Sequence, residues 1–176
     1  MVNCCGHKEE TRTVTFRFRR DELLYHIKNN AYKEWDVMND GEANEHAKHV
    51  AVEICEPGNI DRVNDLLSLI HADVIEMLHP YTKEELVDEV IEVKIEEPEN
   101  YDVVLALPTT VSRTTVKHLS RLIHEYIICR ILGDWLGGTN APAATLWLGK
   151  AEDAKTRINE VKNYRTRPQT RKISVL

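Results

Sequence analysis

A chain of 176 residues, 42% hydrophobic and 30% charged, has the size and composition of one globular domain and excludes a disordered or low-complexity protein. No apolar run approaches the roughly 20 residues that a membrane-spanning helix requires. The N-terminus also lacks the basic region and apolar stretch of an export signal, so the expectation is a cytoplasmic protein without a membrane partner.

The net charge of −6 is unevenly divided. Nine acids (Glu84, Glu85, Asp88, Glu89, Glu92, Glu96, Glu97, Glu99 and Asp102) face only Lys83 and Lys94 between Thr82 and Asp102. Beyond Glu160 there are no acids, while Lys162, Arg165, Arg167, Arg171 and Lys172 are all cationic. Such a division points to a polar partner for each end of the chain.

In chain order, residues 1–11 read as a flexible N-terminus. Val14, Phe16 and Phe18 then alternate with Thr13, Thr15, Arg17 and Arg19, the pattern of a half-buried strand. Asp21 is placed to cap a helix with the stripe Leu24, Ile27, Ala31, Trp35 and Met38, which stops at Gly41. A second helix carries Ala43, Ala47, Val50, Ala51 and Ile54 up to Pro57-Gly58. Asn59 is positioned to cap a third, with Ile60, Val63, Leu67, Ile70, Val74 and Leu78 along one face, ending at His79-Pro80. Thr82 and Glu85 fit a capping box and predict one or two further turns.

The period then changes. Ile91, Val93 and Ile95 alternate with Glu92, Lys94 and Glu96, and a Val- and Leu-rich run from Tyr101 to Leu107 follows the turn signal Pro98-Glu99-Asn100. This predicts a β-hairpin near 88–107 with its acids in water. Arg113 to Leu136 carries the broadest apolar face, with Val116, Leu119, Leu122, Ile123, Tyr126, Ile127, Leu132 and Trp135, and reads as the central helix, stopped by Gly137-Gly138. Asn140 caps the last helix, where Trp147, Ala151, Ala154, Ile158 and Val161 form a seam for one neighbouring helix. The fold predicted is mainly α (α+β): a bundle of about five helices with a small hairpin, occupying 12–164, followed by a basic C-terminal arm over 165–176.

Catalytic motifs fail on inspection. His124-Glu125 begins a zinc-protease pattern, but the second histidine would fall at Ile128. Cys4-Cys5 with His7 lacks a second ligand pair, and His46, His49 and Glu53 read as a solvated helix face. The glycines of Gly133–Gly138 follow a helix instead of opening one, so they offer no amides to phosphate; Gly133 reads as a point of close helix packing. Cys55 and Cys129 lie in apolar helical contexts, as small hydrophobes. Trp35, Trp135 and Trp147 read as core anchors. No enzyme activity and no cofactor are expected.

Leu122 to Leu136, followed by Thr139-Asn140-Ala141-Pro142-Ala143-Ala144 and Trp147, resembles small proteins of phages and prophages in Bacteroides-like bacteria. In those, a helix closing on an Asp-Trp-Leu element leads through a threonine–proline turn into a second amphipathic helix and a basic tail. The resemblance covers roughly Tyr101–Leu176. It implies a virion neck component: a head–tail connector or tail-completion protein, assembling as a ring beside portal or tail proteins. It further implies residence in the host cytoplasm during assembly and then in the virion. On this reading the candidate contact residues are Arg165, Arg167, Arg171 and Lys172 of the arm and Glu92, Glu96 and Glu97 of the acidic hairpin. The arm is also suited to non-specific DNA contact, so a phage regulatory or DNA-binding accessory protein is the alternative.

Overall fold

The computed structural model describes residues 10–37, 48–84 and 97–164. Strand β1 (Thr11–Arg19) runs directly into helix α1 (Arg20–Val37). A helical stretch at 48–52 tightens into a 3₁₀ turn at Glu53–Cys55 before helix α2 (Ile60–Met77). Strand β2 (Asn100–Pro108) precedes the two longest helices, α3 (Arg113–Leu136) and α4 (Ala141–Tyr164). The fold is mainly helical with a small antiparallel sheet, as the apolar periodicity predicts.

Helix α3 is the centre of the molecule. Ser112 caps it by accepting from the Thr115 N–H, and its buried residues extend well past the stripe expected from sequence, to Ile128, Cys129, Ile131, Gly133 and Leu136. The last helix returns alongside it after Gly137–Asn140, and its first turn is capped by Asn140 Oδ1 accepting from the Ala143 N–H. The seam residues Trp147, Ala151, Ala154 and Ile158 are buried against α3 within the same chain. Gly133 makes this approach possible. A Cβ at that position would lie 2.6 Å from Leu148 Cδ2 and Cγ, and 3.2 Å from the Leu148 backbone nitrogen.

The sheet joins distant parts of the chain. β1 and β2 pair antiparallel, with Phe16 opposite Val103 and Phe18 opposite Tyr101, so one face buries aromatic and branched side chains against the helices. Where the Pro98-Glu99-Asn100 turn predicts a local hairpin, the partner found for β2 is β1. Strand periodicity alone does not choose between acceptable partners, but the matched apolar faces of β1 and β2 do. Residues 91–95 lie outside the described residues, as do 1–9, Met38 to Ala47, Glu85 and the arm.

Three local readings are corrected. Asn59 precedes α2 but does not cap it; its Nδ2–H donates to the Glu53 carbonyl instead. Asp21, expected to cap α1, lies within the helix, which already begins at Arg20. Lys162, grouped with the arm by charge, folds back on the body and donates to the Met77 carbonyl at 2.6 Å, at the C-terminus of α2, where a cation is favoured.

Asn64 is the one fully buried polar side chain among the described residues, and both ends of its amide are used. Its Oδ1 accepts from Arg20 Nε at 3.0 Å, and its Nδ2 donates to Glu97 Oε1 at 2.8 Å. Arg20 Nη2 reaches the same Glu97 oxygen at 3.0 Å. The network fastens the start of α1, the middle of α2 and the approach to β2. Asn64→Ala is expected to cost about 1–3 kcal/mol by leaving Arg20 and Glu97 short of a partner in a half-buried setting. Gly133→Ala is expected to destabilise by about 1–3 kcal/mol through overpacking. The sign is opposite to the roughly 1 kcal/mol gain of the same change at an open helix position. Urea denaturation of both variants measures these effects, and a stabilised Gly133→Ala would show that α4 yields.

Candidate docking groove

Of the contact residues predicted from sequence, only Glu97 lies among the described residues, and it is engaged within its own chain by Arg20 and Asn64. Glu92, Glu96, Arg165, Arg167, Arg171 and Lys172 lie outside them, as do Cys4, Cys5, His7 and His46. Among the described residues no group of three or more His, Cys, Asp or Glu side chains is placed to hold a metal ion. No helix among them is long and apolar enough to cross a membrane.

The geometry draws attention elsewhere, to the seam between β1 and α3. Backbone bonds from Thr109 N–H to the Glu10 carbonyl and from Arg20 N–H to the Glu99 carbonyl bracket the β1–β2 ladder. In an antiparallel pair the hydrogen-bonded positions alternate, so the even-numbered residues of β1 point their backbone groups at β2. The N–H and C=O groups of Thr11, Thr13, Thr15, Arg17 and Arg19 therefore face the other way, and none has a backbone partner among the described residues. The far edge of β2 follows the same alternation: there the Ala106 N–H donates to the Tyr81 carbonyl and the Asp102 carbonyl accepts from His71 Nε2.

Beside the unpaired edge lie two clefts. One of about 340 Å³ has an apolar floor of Val14, Leu107, Val111 and Val116, rimmed by Arg12, Arg113 and Lys117. The other, about 420 Å³, is lined by Arg17–Arg19, Glu22, Leu23, Ser120, Arg121, His124 and Glu125. Both have residues of β1 on one side and of α3 on the other, and the first is also walled by Leu107, Pro108 and Thr109 at the end of β2. Arg113, Lys117 and Arg121 recur every four residues and make a cationic row about 12 Å long on α3.

Arg17 and Arg19 are already partnered. Arg17 grips Asp102 across the strands, with Nη2 to Oδ2 at 2.7 Å and Nε to Oδ1 at 3.0 Å, and this hydrogen bonding holds the Asp102 carboxyl below its ordinary range. Arg19 pairs with Asp21 and Glu22. Arg12, Arg113, Lys117 and Arg121 form no ion pair among the described residues. Among the described residues, a chain of net negative charge thus sets unpaired cations beside a strand edge without a partner. The alternation in β1 and the spacing of Arg113, Lys117 and Arg121 were both legible in sequence. That they line the same clefts was not, because nothing local says which helix lies under β1.

The zinc-like pair serves packing. His124 is half-buried at the inner end of the groove, its ring edge-on to His26 at 5.0 Å. Burial, then the neighbouring His26, pushes its pKa down, against the pull of Glu125 and Glu22. Glu125 Oε1 accepts from the Cys129 Sγ–H at 3.6 Å, and Ile128 is core. Burial, then Glu125, pushes the Cys129 thiol up to about 12.

His71 is likewise pushed down by burial, partly offset by its bond to the Asp102 carbonyl. Both histidines are thus favoured neutral in the fold. Their stabilisation is full above the ordinary value of 6.5 and declines as pH falls below it, because the unfolded chain takes up protons first. Acidification from about pH 7.5 to about pH 5 is expected to lower the melting temperature, and a His71→Gln, His124→Gln double variant to flatten that slope. Cys129 is expected to resist alkylation in the native protein and to react once denaturant exposes it, which thiol titration with and without urea measures. No family model matches this sequence, and neither a curated protein nor a solved structure matches it.

Proposed function

We propose that this protein is a non-enzymatic assembly component, acting through ordered contacts with copies of itself and with neighbouring proteins, in the setting of a phage virion neck as a head–tail connector or tail-completion protein. The observation that carries the assembly reading is the side of β1 turned to α3: a strand edge about 23 Å long from Arg12 to Arg19 that has no strand partner among the described residues, flanked by four cations that form no ion pair among them. An edge of that kind is a surface for another chain. The same sequence carries an acidic stretch between Thr82 and Asp102, so complementary surfaces coexist in one molecule, and heterologous contacts between them close into rings when the rotation permits. The virion setting rests on the resemblance of Leu122–Trp147 and the basic tail to phage neck proteins.

A second reading, a DNA-binding accessory protein, is favoured by one feature: the row Arg113, Lys117, Arg121 together with the arm cations is suited to phosphates. Light scattering behind a sizing column, over a range of concentration and salt, separates the two. Assembly predicts a discrete multimer visible as rings in negative stain, weakened by reversing Arg165, Arg167 and Arg171 if the arm contributes. The accessory reading predicts a monomer whose DNA affinity falls steeply with salt.

A further inference from the structure

We propose that the outer edge of β1 and the cationic row of α3 together bind an extended segment of a different protein, one with acidic side chains at alternate positions. The segment adds to β1 as a further strand and turns its acids toward α3. The inference rests on the assembly reading and names the chemistry of one neighbour.

The backbone comes first. Thr13, Thr15 and Arg17 direct their N–H and C=O groups away from β2, and no backbone group among the described residues meets them. An extended polypeptide satisfies such a row in register, donor to acceptor and acceptor to donor. The phosphates of a nucleic acid would meet the nearby cations, but they only accept, and would leave the carbonyls of the edge to water. A second β1 is disfavoured because Arg12, Arg17 and Arg19 would be set against their like.

The pleat then decides which face of the new strand matters. Side chains opposite Arg12, Val14, Phe16 and Phe18 point to the same side as those residues, which is the side of α3, where Phe18 lies 6.5 Å from the His124 ring. Successive side chains on that face stand about 7 Å apart. Arg113, Lys117 and Arg121 succeed one another at about 6 Å along their helix. The helix also keeps step with the strand: Arg113 and Lys117 share the first cleft with Arg12 and Val14, and Arg121 shares the second with Arg17 to Arg19. Acids at every second position therefore place one carboxylate near each cation.

Glutamate suits the first cleft best. Its methylenes can lie on Val14, Val111 and Val116 while the carboxylate reaches Arg12, Arg113 or Lys117 at the rim, and no acid among the described residues lines that cleft. Glu22 and Glu125 line the second, so Arg121 is the weaker anchor. No stretch of this sequence has acids at three successive alternate positions, so the segment belongs to another protein.

The test uses the full-length chain and a labelled peptide, Thr-Glu-Thr-Glu-Thr-Glu-Thr, read by fluorescence anisotropy. R113E/K117E/R121E changes exposed residues only, and circular dichroism with thermal melting checks its fold. Binding is expected to weaken about tenfold or more in this variant, and as much for the block peptide Thr-Thr-Glu-Glu-Glu-Thr-Thr on the wild-type chain. Thr-Lys-Thr-Lys-Thr-Lys-Thr is expected to bind the variant in preference to wild type. K117E alone is expected to cost more than R121E alone, and added peptide to slow amide exchange at Thr13, Thr15 and Arg17. Equal binding of the alternating and block peptides would overturn strand addition, as would amides at these positions already as slow without peptide as their β2-bonded neighbours. Failure of the alternating peptide to bind the folded wild-type chain at millimolar concentration overturns the proposal, and a thymidine oligonucleotide bound by wild type and lost by the variant would then assign the clefts to nucleic acid. The assembly reading fails separately. A monomer in light scattering that still binds the alternating peptide upholds this contact and overturns self-assembly, and a discrete multimer that ignores the peptide does the reverse.

Discussion

From Leu119 onward, α3 is buried on almost every side: Leu122, Ile123, Tyr126 to Cys129, Ile131 to Gly133, Trp135 and Leu136. A helix with so broad an apolar surface must be enclosed, and the other elements are arranged to enclose it, leaving Arg121 and Glu125 exposed. The last helix lies along one side at the distance Gly133 permits, with α1 and α2 on others and the inner face of the sheet above its first half. Tryptophans close the assembly where polar groups would otherwise be stranded. Trp135 Nε1–H donates to the Val50 carbonyl, and Trp147 Nε1–H to Glu34, while Lys150 lies over the Trp147 ring.

The same helix changes character at its N-terminal end. Over its first turns Arg113, Lys117 and Arg121 face solvent, while Val116 and Leu119 keep contact with the core. This is also where β1 runs past. The sheet has two strands among the described residues, and the side of β2 away from β1 is occupied by Tyr81 and His71. Among the described residues that leaves the outer edge of β1 without a strand partner, beside the exposed part of α3. The last helix and the end of α2 also reach the first half of α3, where Val161, Lys162, Leu78 and Tyr81 gather around Thr115, Val116 and Leu119, so only the side of that half turned to β1 is open.

Unpaired edges invite association with whatever extended chain comes near, and proteins commonly place charge on them. Arg12, Arg17 and Arg19 of β1 are exposed charges of that kind. Along the sequence the acids concentrate between Thr82 and Asp102 and the cations beyond Glu160.

Much of the architecture was legible in the residues. The limits of α3 and the Asn140 cap follow from apolar spacing and capping chemistry, both of which act over a few residues. So do the half-buried strand at β1 and the close packing at Gly133. Two readings that failed concerned side chains with more than one available partner: Asn59 and Lys162 each took a carbonyl of another segment, which local preference cannot foresee. Asn64 sits within the apolar stripe of α2, and nothing in its neighbourhood announces that Arg20 and Glu97 converge on it. The pairing of β1 with β2 and the alignment of β1 with Arg113, Lys117 and Arg121 were likewise decided by the tertiary structure. Sequence by itself determined which surfaces are apolar, acidic or basic, because those properties belong to single residues at fixed helical or strand spacing. Which of those surfaces meet, and which edge is left open, depends on contacts between distant segments, and only the folded chain specifies them.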